Sequence, residues 1–303
     1  MKAKGPSRSP PRKLTTDDLE ASKLRISNDV NGDEDRIKWE LAKAIIAHYL
    51  SYDWVTKYFS PDHKSPKLDD YFRLDFSLDI EGQQHKYARV INLAETLFNL
   101  QDIEGFDERC DLLLAGQIES TVAEFDFGRF LYMHDVDFKF VTTSGKRGED
   151  YDCLITYDDG VTACADAKCR LESSAVDPEM IKHALDKARR KNLPPDQAGI
   201  IFVKLPQTWL ESADVRQGVF DTAKDWIRGT ERVVLVVLYC YVEFFHKQLQ
   251  MTVHRHLVDE VQSERHRFDM AKNWKLFESY RIPKDWAGMP PKWHRIFSTG
   301  RLA

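Results

Sequence analysis

Two short segments bring together side chains that can do chemistry. They are Gly148-Glu149-Asp150-Tyr151-Asp152-Cys153-Leu154-Ile155 and Ala163-Cys164-Ala165-Asp166-Ala167-Lys168-Cys169, joined by the turn Tyr157-Asp158-Asp159-Gly160. Read as a β-hairpin, they set Asp152 on one strand and Asp166 and Lys168 on the next. Side chains alternate across a strand with period two, so Asp166 and Lys168 point one way while Ala165, Ala167 and Cys169 point the other. Two carboxylates and an amine on adjacent strands suit the holding of a divalent metal and a water. They also suit a plain cross-strand salt bridge, worth up to about 1 kcal/mol if exposed. The apolar company argues for a site, because charges set among Ala, Cys, Leu and Ile are costly unless something compensates them.

The frame around the hairpin separates this tripeptide from its copies. Asp-x-Lys also occurs at Asp62-His63-Lys64, in a proline-flanked loop, and at Asp137-Phe138-Lys139, on a strand with no acidic strand before it. Only Asp166 follows an acid on the previous strand and precedes a well-capped helix. That helix is predicted over 178–192: Asp177 supplies an N-cap carboxylate, Pro178 takes the first position and Glu179 the first turn. Ile181, Ala184, Leu185 and Ala188 form its apolar stripe, and Lys187, Arg189 and Arg190 stand on its charged surface. Before the hairpin, a helix is predicted from Asp111 to His134, with Leu114, Ile118, Val122, Phe125 and Leu131 on its apolar side, followed by a strand over 136–141. After the basic helix, Gly199-Ile200-Ile201-Phe202-Val203 reads as a central strand buried on both faces. A further helix over 215–229 and strands over 232–245 and 249–258 complete the region.

Towards the N-terminus, residues 1–34 are rich in Lys, Arg, Ser and Pro and read as a disordered basic tail. Residues 35–105 read as a helical region. Ile37, Leu41, Ile45 and Tyr49 recur at helical spacing, with Trp54 and Tyr58 extending the pattern, and a second helix is predicted over 83–100. The α/β core is expected over 106–260. Residues 261–303 are read as an extension, with Trp286 and Trp293 packing against the core.

At 303 residues and 42% hydrophobic content the chain can bury a substantial core. The run Val233 to Cys240 is too short to span a membrane, and no N-terminal apolar segment with a cleavage site is present. Five cysteines without CxxC spacing fit buried thiols in a reduced, cytoplasmic setting. The net charge of −5 argues against coating nucleic acid by bulk electrostatics, but leaves room for a local basic face.

The order helix, three strands, helix, strand, with Asp152 on the second strand and Asp166-Ala167-Lys168 on the third, resembles the PD-(D/E)xK, restriction-endonuclease-like nuclease superfamily. The resemblance covers about residues 110–205 and departs in one place, since Tyr151 stands where a strict motif has proline. It implies an α/β fold with a mixed β-sheet flanked by helices, core order α-β-β-β-α-β. It also implies metal-assisted phosphodiester hydrolysis, on DNA in preference to RNA. Asp152, Asp166 and the backbone carbonyl of Ala167 would be ligands to Mg²⁺, with Mn²⁺ as a substitute. Lys168 would position or deprotonate the attacking water. A helix glutamate joins such sites in the family, here Glu124 in preference to Glu119. Lys187, Arg189 and Arg190 would contact phosphates. The alternative is a protein that keeps the fold without catalysis and binds nucleic acid or a protein partner.

Overall fold

The computed structural model describes residues 10–60, 71–72, 80–142, 144–157, 160–169, 177–206, 209, 212–246, 251–268, 293 and 296. The chain divides into two compact units. One comprises Met1–Asp102, Phe106–Gly116 and Arg295–Ala303, and the other Ile103–Gly105 and Gln117–His294.

The first unit is helical. Its opening helix, α1 (Thr16–Asp29), falls within the segment expected to be an unstructured tail. Two local features overturn that expectation. The Thr15 hydroxyl and the Asp18 carboxylate cap each other's backbone N–H groups, and Leu19, Ile26 and Val30 bury an apolar stripe. The long helix expected after Asp35 is two helices, α2 (Glu34–Leu50) and α3 (Tyr52–Phe59). They meet at Ser51, whose φ of 96° no helix accommodates. Next come α4 (Ile80–Leu100) and α5 (Phe106–Leu114). Trp54 ties α3 to α5 by donating its indole N–H to the Leu113 carbonyl at 2.9 Å.

The helix expected from Asp111 to His134 is likewise broken, at Gly116 with φ +84°. Its first part is α5 of the helical unit, and its second is α6 (Ile118–Met133), which opens the α/β unit. Then follow β1 (Asp137–Phe140), β2 (Cys153–Thr156), β3 (Thr162–Cys169), α7 (Pro178–Lys187), β4 (Ala198–Lys204), α8 (Ala213–Ile227), β5 (Val233–His246) and β6 (Met251–Gln262). A π-helical turn, Ala188–Asn192, continues α7. The core order α-β-β-β-α-β is as expected.

The six strands form one mixed sheet in the order β1-β2-β3-β4-β5-β6. The pairs β1–β2, β2–β3 and β5–β6 are antiparallel. The pairs β3–β4 and β4–β5 are parallel, crossed by α7 and α8.

Strand parity sorts the core into two layers. Cys164, Ile201, Val203, Val236 and Leu238 bury one face against Ile181 and Leu185 of α7 and Val219, Ala223 and Trp226 of α8. The other face carries Phe140, Phe202 and Tyr239, and α6 packs there. The Phe127 and Phe202 rings lie 4.8 Å apart, and the Phe125 and Phe140 rings 5.7 Å. Gly128 permits this approach, since a Cβ there would lie 2.6 Å from Cζ of Phe140. β4 is buried along its whole length, as a central strand covered on both faces must be. Its terminal Lys204 is tolerated because Nζ lies 2.6 Å from Oδ2 of Asp126 on α6. Burying each of these charges alone would cost several kcal/mol, on the order of the penalty for an unpaired ion.

Candidate functional site

The register places Asp166 and Lys168 opposite Ile201 and Val203 of β4, on the face that α7 covers. Asp166 has no solvent-accessible surface, while the Lys168 side chain retains 17% of its own. A carboxylate so enclosed must be compensated, and Lys168 does it: Nζ meets Oδ2 of Asp166 as an ion pair. The same Nζ lies 3.3 Å from the Ala167 carbonyl. Oδ2 of Asp166 accepts no hydrogen bond beyond that ionic contact, so it keeps unused acceptor capacity inside the protein.

Asp152 stands where β2 begins. The β2–β3 ladder closes with Cys153 opposite Ala165 and with the Asp152 N–H donating to the Ala165 carbonyl at 2.8 Å. One step further, β2 no longer supplies a partner to Ala167, which is paired with β4 on its other edge. Oδ2 of Asp152 takes over as acceptor and receives the Ala167 N–H at 2.7 Å. The side chain thus replaces a ladder partner and brings a second carboxylate to the stretch of β3 that carries Asp166 and Lys168. Backbone N–H and C=O of one strand residue point to the same side. The Ala167 carbonyl therefore lies on the edge that Asp152 occupies.

The remaining partner is Asn192, which the sequence did not single out. Its side-chain amide donates to Oδ1 of Asp166 at 2.6 Å. Asn192 is the last residue of the π-helical turn, and wide turns of this kind recur at functional sites because they re-aim the residues that follow. The signals that mark a helix end, Leu193-Pro194-Pro195, are visible in the sequence, whereas a switch from α to π winding leaves no pattern there.

The helix glutamates belong to α6, the element on the opposite face. Glu124 is buried there. Oε2 of Glu119 lies 3.9 Å from Sγ of Cys169, which shares the face of Ala165 and Ala167. Of the expected phosphate contacts, Lys187 and Arg190 are exposed. Arg189 is partly taken up inside, donating to Asp186 at 2.9 Å and lying over the Trp226 ring. Cys164 is buried beside Asp166 and is pushed up to about 11 by desolvation, so it stays a protonated thiol. His183 is exposed on α7. Trp293 is buried, with the Arg129 guanidinium over its ring and Tyr132 at its edge, and Trp286 lies outside the described residues.

The donors grouped at β3 are all oxygen: the carboxylates of Asp152 and Asp166 and the Ala167 carbonyl. Among the described residues no three or more His, Cys, Asp and Glu side chains form a metal-sized group. A cation accepted here would therefore rest on two carboxylates and a carbonyl and keep much of its water. That is the habit of Mg²⁺, not of Zn²⁺ or of a fully caged Ca²⁺. The unused acceptor capacity of Asp166 Oδ2 fits the same ion. No family model, curated protein or solved structure matches this chain.

Proposed function

We propose that this protein is a Mg²⁺-dependent nuclease that hydrolyses phosphodiester bonds, in DNA in preference to RNA. The observation that carries the reading is that Asp152 accepts the Ala167 N–H while Lys168 Nζ meets both the Asp166 carboxylate and the Ala167 carbonyl. Bound there, the ion would lower the pKa of a water and offset charge on the scissile phosphate. Asp152 and Asp166, with the Ala167 carbonyl, would hold it. Asn192 fixes the Asp166 carboxylate, leaving Oδ2 for the ion. Lys168 needs only a rotation about its flexible stem to leave Oδ2 and orient the water or contact the phosphate. The basic residues Lys187, Arg189 and Arg190 supply phosphate attraction that an overall charge of −5 does not.

A second reading keeps the fold and drops the chemistry: a nucleic-acid- or protein-binding module. It draws on the same geometry, in which Asp166 is wholly enclosed and Asp152 is engaged by a backbone N–H.

Purified protein incubated with supercoiled plasmid and Mg²⁺ or Mn²⁺ separates the two. Nicking or degradation is expected, reduced at least about a hundredfold in Asp152→Asn and Asp166→Asn. Both variants preserve an acceptor for the hydrogen bond that the aspartate makes, and Asp152→Asn also leaves the Asp166–Lys168 ion pair intact. Full activity in both would sink the site assignment. Association with DNA or a partner protein, with no cleavage under either metal, would establish the second reading instead.

A further inference from the structure

Four arginines from separate parts of the α/β unit gather around the π-helical turn and the segment leading from it into β4. Three of them bond its carbonyls. Arg147, from the β1–β2 connection, donates Nε–H to the Arg190 carbonyl at 3.0 Å. Arg232, just before β5, donates to the Arg189 carbonyl, and Arg267, just after β6, donates to the Pro195 carbonyl. Arg189 is the fourth, on the turn itself. Arg190 and Lys191 stand beside it, both exposed. Acids answer only part of this charge. Asp186 pairs with Arg189 and, at 3.8 Å, with Arg190, and Glu149 lies 3.5 Å from Lys146. Among the described residues no carboxylate pairs with Arg147, Lys191, Arg232 or Arg267. Burial, and then the charges of Arg189 and Arg267, push the Arg232 guanidinium below its ordinary value, the sign of cations left facing one another.

We infer that this arginine collar is a docking surface for the phosphodiester backbone of nucleic acid. The identity of the polyanion rests on the nuclease reading, and the charge arrangement stands by itself. A guanidinium has five N–H donors in a fixed fork, and one bond to a carbonyl holds it while leaving others to bind. The anchoring carbonyls belong to residues 189, 190 and 195. The cations therefore follow the chain instead of closing on one point, which matches an anion that repeats along its length. The collar also grips the turn that delivers Asn192 to Asp166, placing phosphates beside the hydrolytic residues.

The test is fluorescence anisotropy of the full chain with a short fluorescein-labelled DNA duplex, in EDTA and at several salt concentrations. Arg232→Gln/Arg267→Gln is expected to weaken binding about tenfold and to lower the log–log salt slope by about 2, one for each phosphate that is no longer neutralised. Arg190→Gln/Lys191→Gln, which alters exposed side chains, is expected to act the same way and reports if the first variant does not fold. Lys23→Gln/Lys57→Gln removes the same charge from the helical unit and is expected to leave binding unchanged. Collar variants that bind like the wild type, or a control that weakens binding equally, overturn the inference. So does equal affinity for an acidic peptide or heparin in place of DNA. Binding at the collar with no cleavage in Mg²⁺ sinks the nuclease reading alone, and cleavage with unchanged binding in the collar variants sinks the collar alone.

Discussion

Lys168 is the residue on which stability and chemistry meet. It neutralises a carboxylate with no accessible surface, so removing it leaves Asp166 charged, buried and supported only by the Asn192 amide. Lys168→Met is therefore expected to destabilise the protein by about 3 kcal/mol, the cost of breaking a buried pair from one side. Asp166→Asn/Lys168→Met is expected to recover most of that loss, because no charge is left behind. Urea denaturation midpoints at constant slope would measure both. Equal losses in the single and double variants would mean that the pair is not compensating buried charge. This also bears on how the nuclease reading is tested: a lysine deletion confounds lost chemistry with lost stability, whereas Asp152→Asn does not. The pair at Lys204 and Asp126, on the other face, is a second ion pair largely removed from solvent against the same sheet.

At the scale of elements, the site depends on the start of the hairpin being held in place. The segment 103–105 runs against the end of β1, where the Phe140 N–H donates to the Glu104 carbonyl at 2.9 Å, and β1 pairs with β2, which leads Asp152 onto the sheet. Gly105 makes this approach possible. Its φ is +84°, and a Cβ there would collide with the Phe140 carbonyl oxygen and lie 2.8 Å from the Phe140 Cβ. Gly105→Ala combines backbone strain with a clash against main chain, and is expected to cost at least about 2 kcal/mol. Thermal melts would register the loss, and hydrogen exchange would place it at β1 and β2. A variant with wild-type stability would show that the segment is free to move away.

For the molecule as a whole, two titrating groups oppose each other across mildly acidic pH. Desolvation lowers His134 to about 4, so the unfolded chain takes up a proton that the fold refuses, and stability falls as pH drops from 6.5 towards 4. Desolvation raises Glu260 to about 7. The fold then keeps a proton that the unfolded chain has lost, and stability falls as pH rises from 4.5 to 7. The wild-type profile is expected to be nearly flat over the shared window. His134→Gln should leave a decline towards neutral pH, and Glu260→Gln a decline towards acid, read from denaturation midpoints between pH 4 and 7. Two variants with parallel profiles would show that neither group titrates as its burial implies. No helix among the described residues is long and apolar enough to cross a membrane.

Short-range patterns fixed what could be read from the chain alone. The hairpin pattern identified β2 and β3, a continuous apolar run identified β4, the Asp177-Pro178-Glu179 cap located α7, and the family resemblance carried by their order implied a mixed sheet flanked by helices. Alternation alone placed Asp166 and Lys168 together. Breaks set by single backbone conformations escaped notice: Ser51 split one predicted helix, Gly116 divided another between two units, and α1 formed in a segment whose composition reads as tail. Long-range proximity escaped as well. Asn192, Arg147, Arg232 and Arg267 come from distant stretches, and no spacing rule links them to Asp166 or to one another. Asp152 was found as an acid on a strand, but its hold on the Ala167 N–H exists only because β2 ends there. The sequence determined the period and parity that put two acids and a lysine on one sheet. Tertiary structure decided which were enclosed, which amide held them and which cations gathered nearby, because burial and charge are sums over neighbours that only the folded chain assembles.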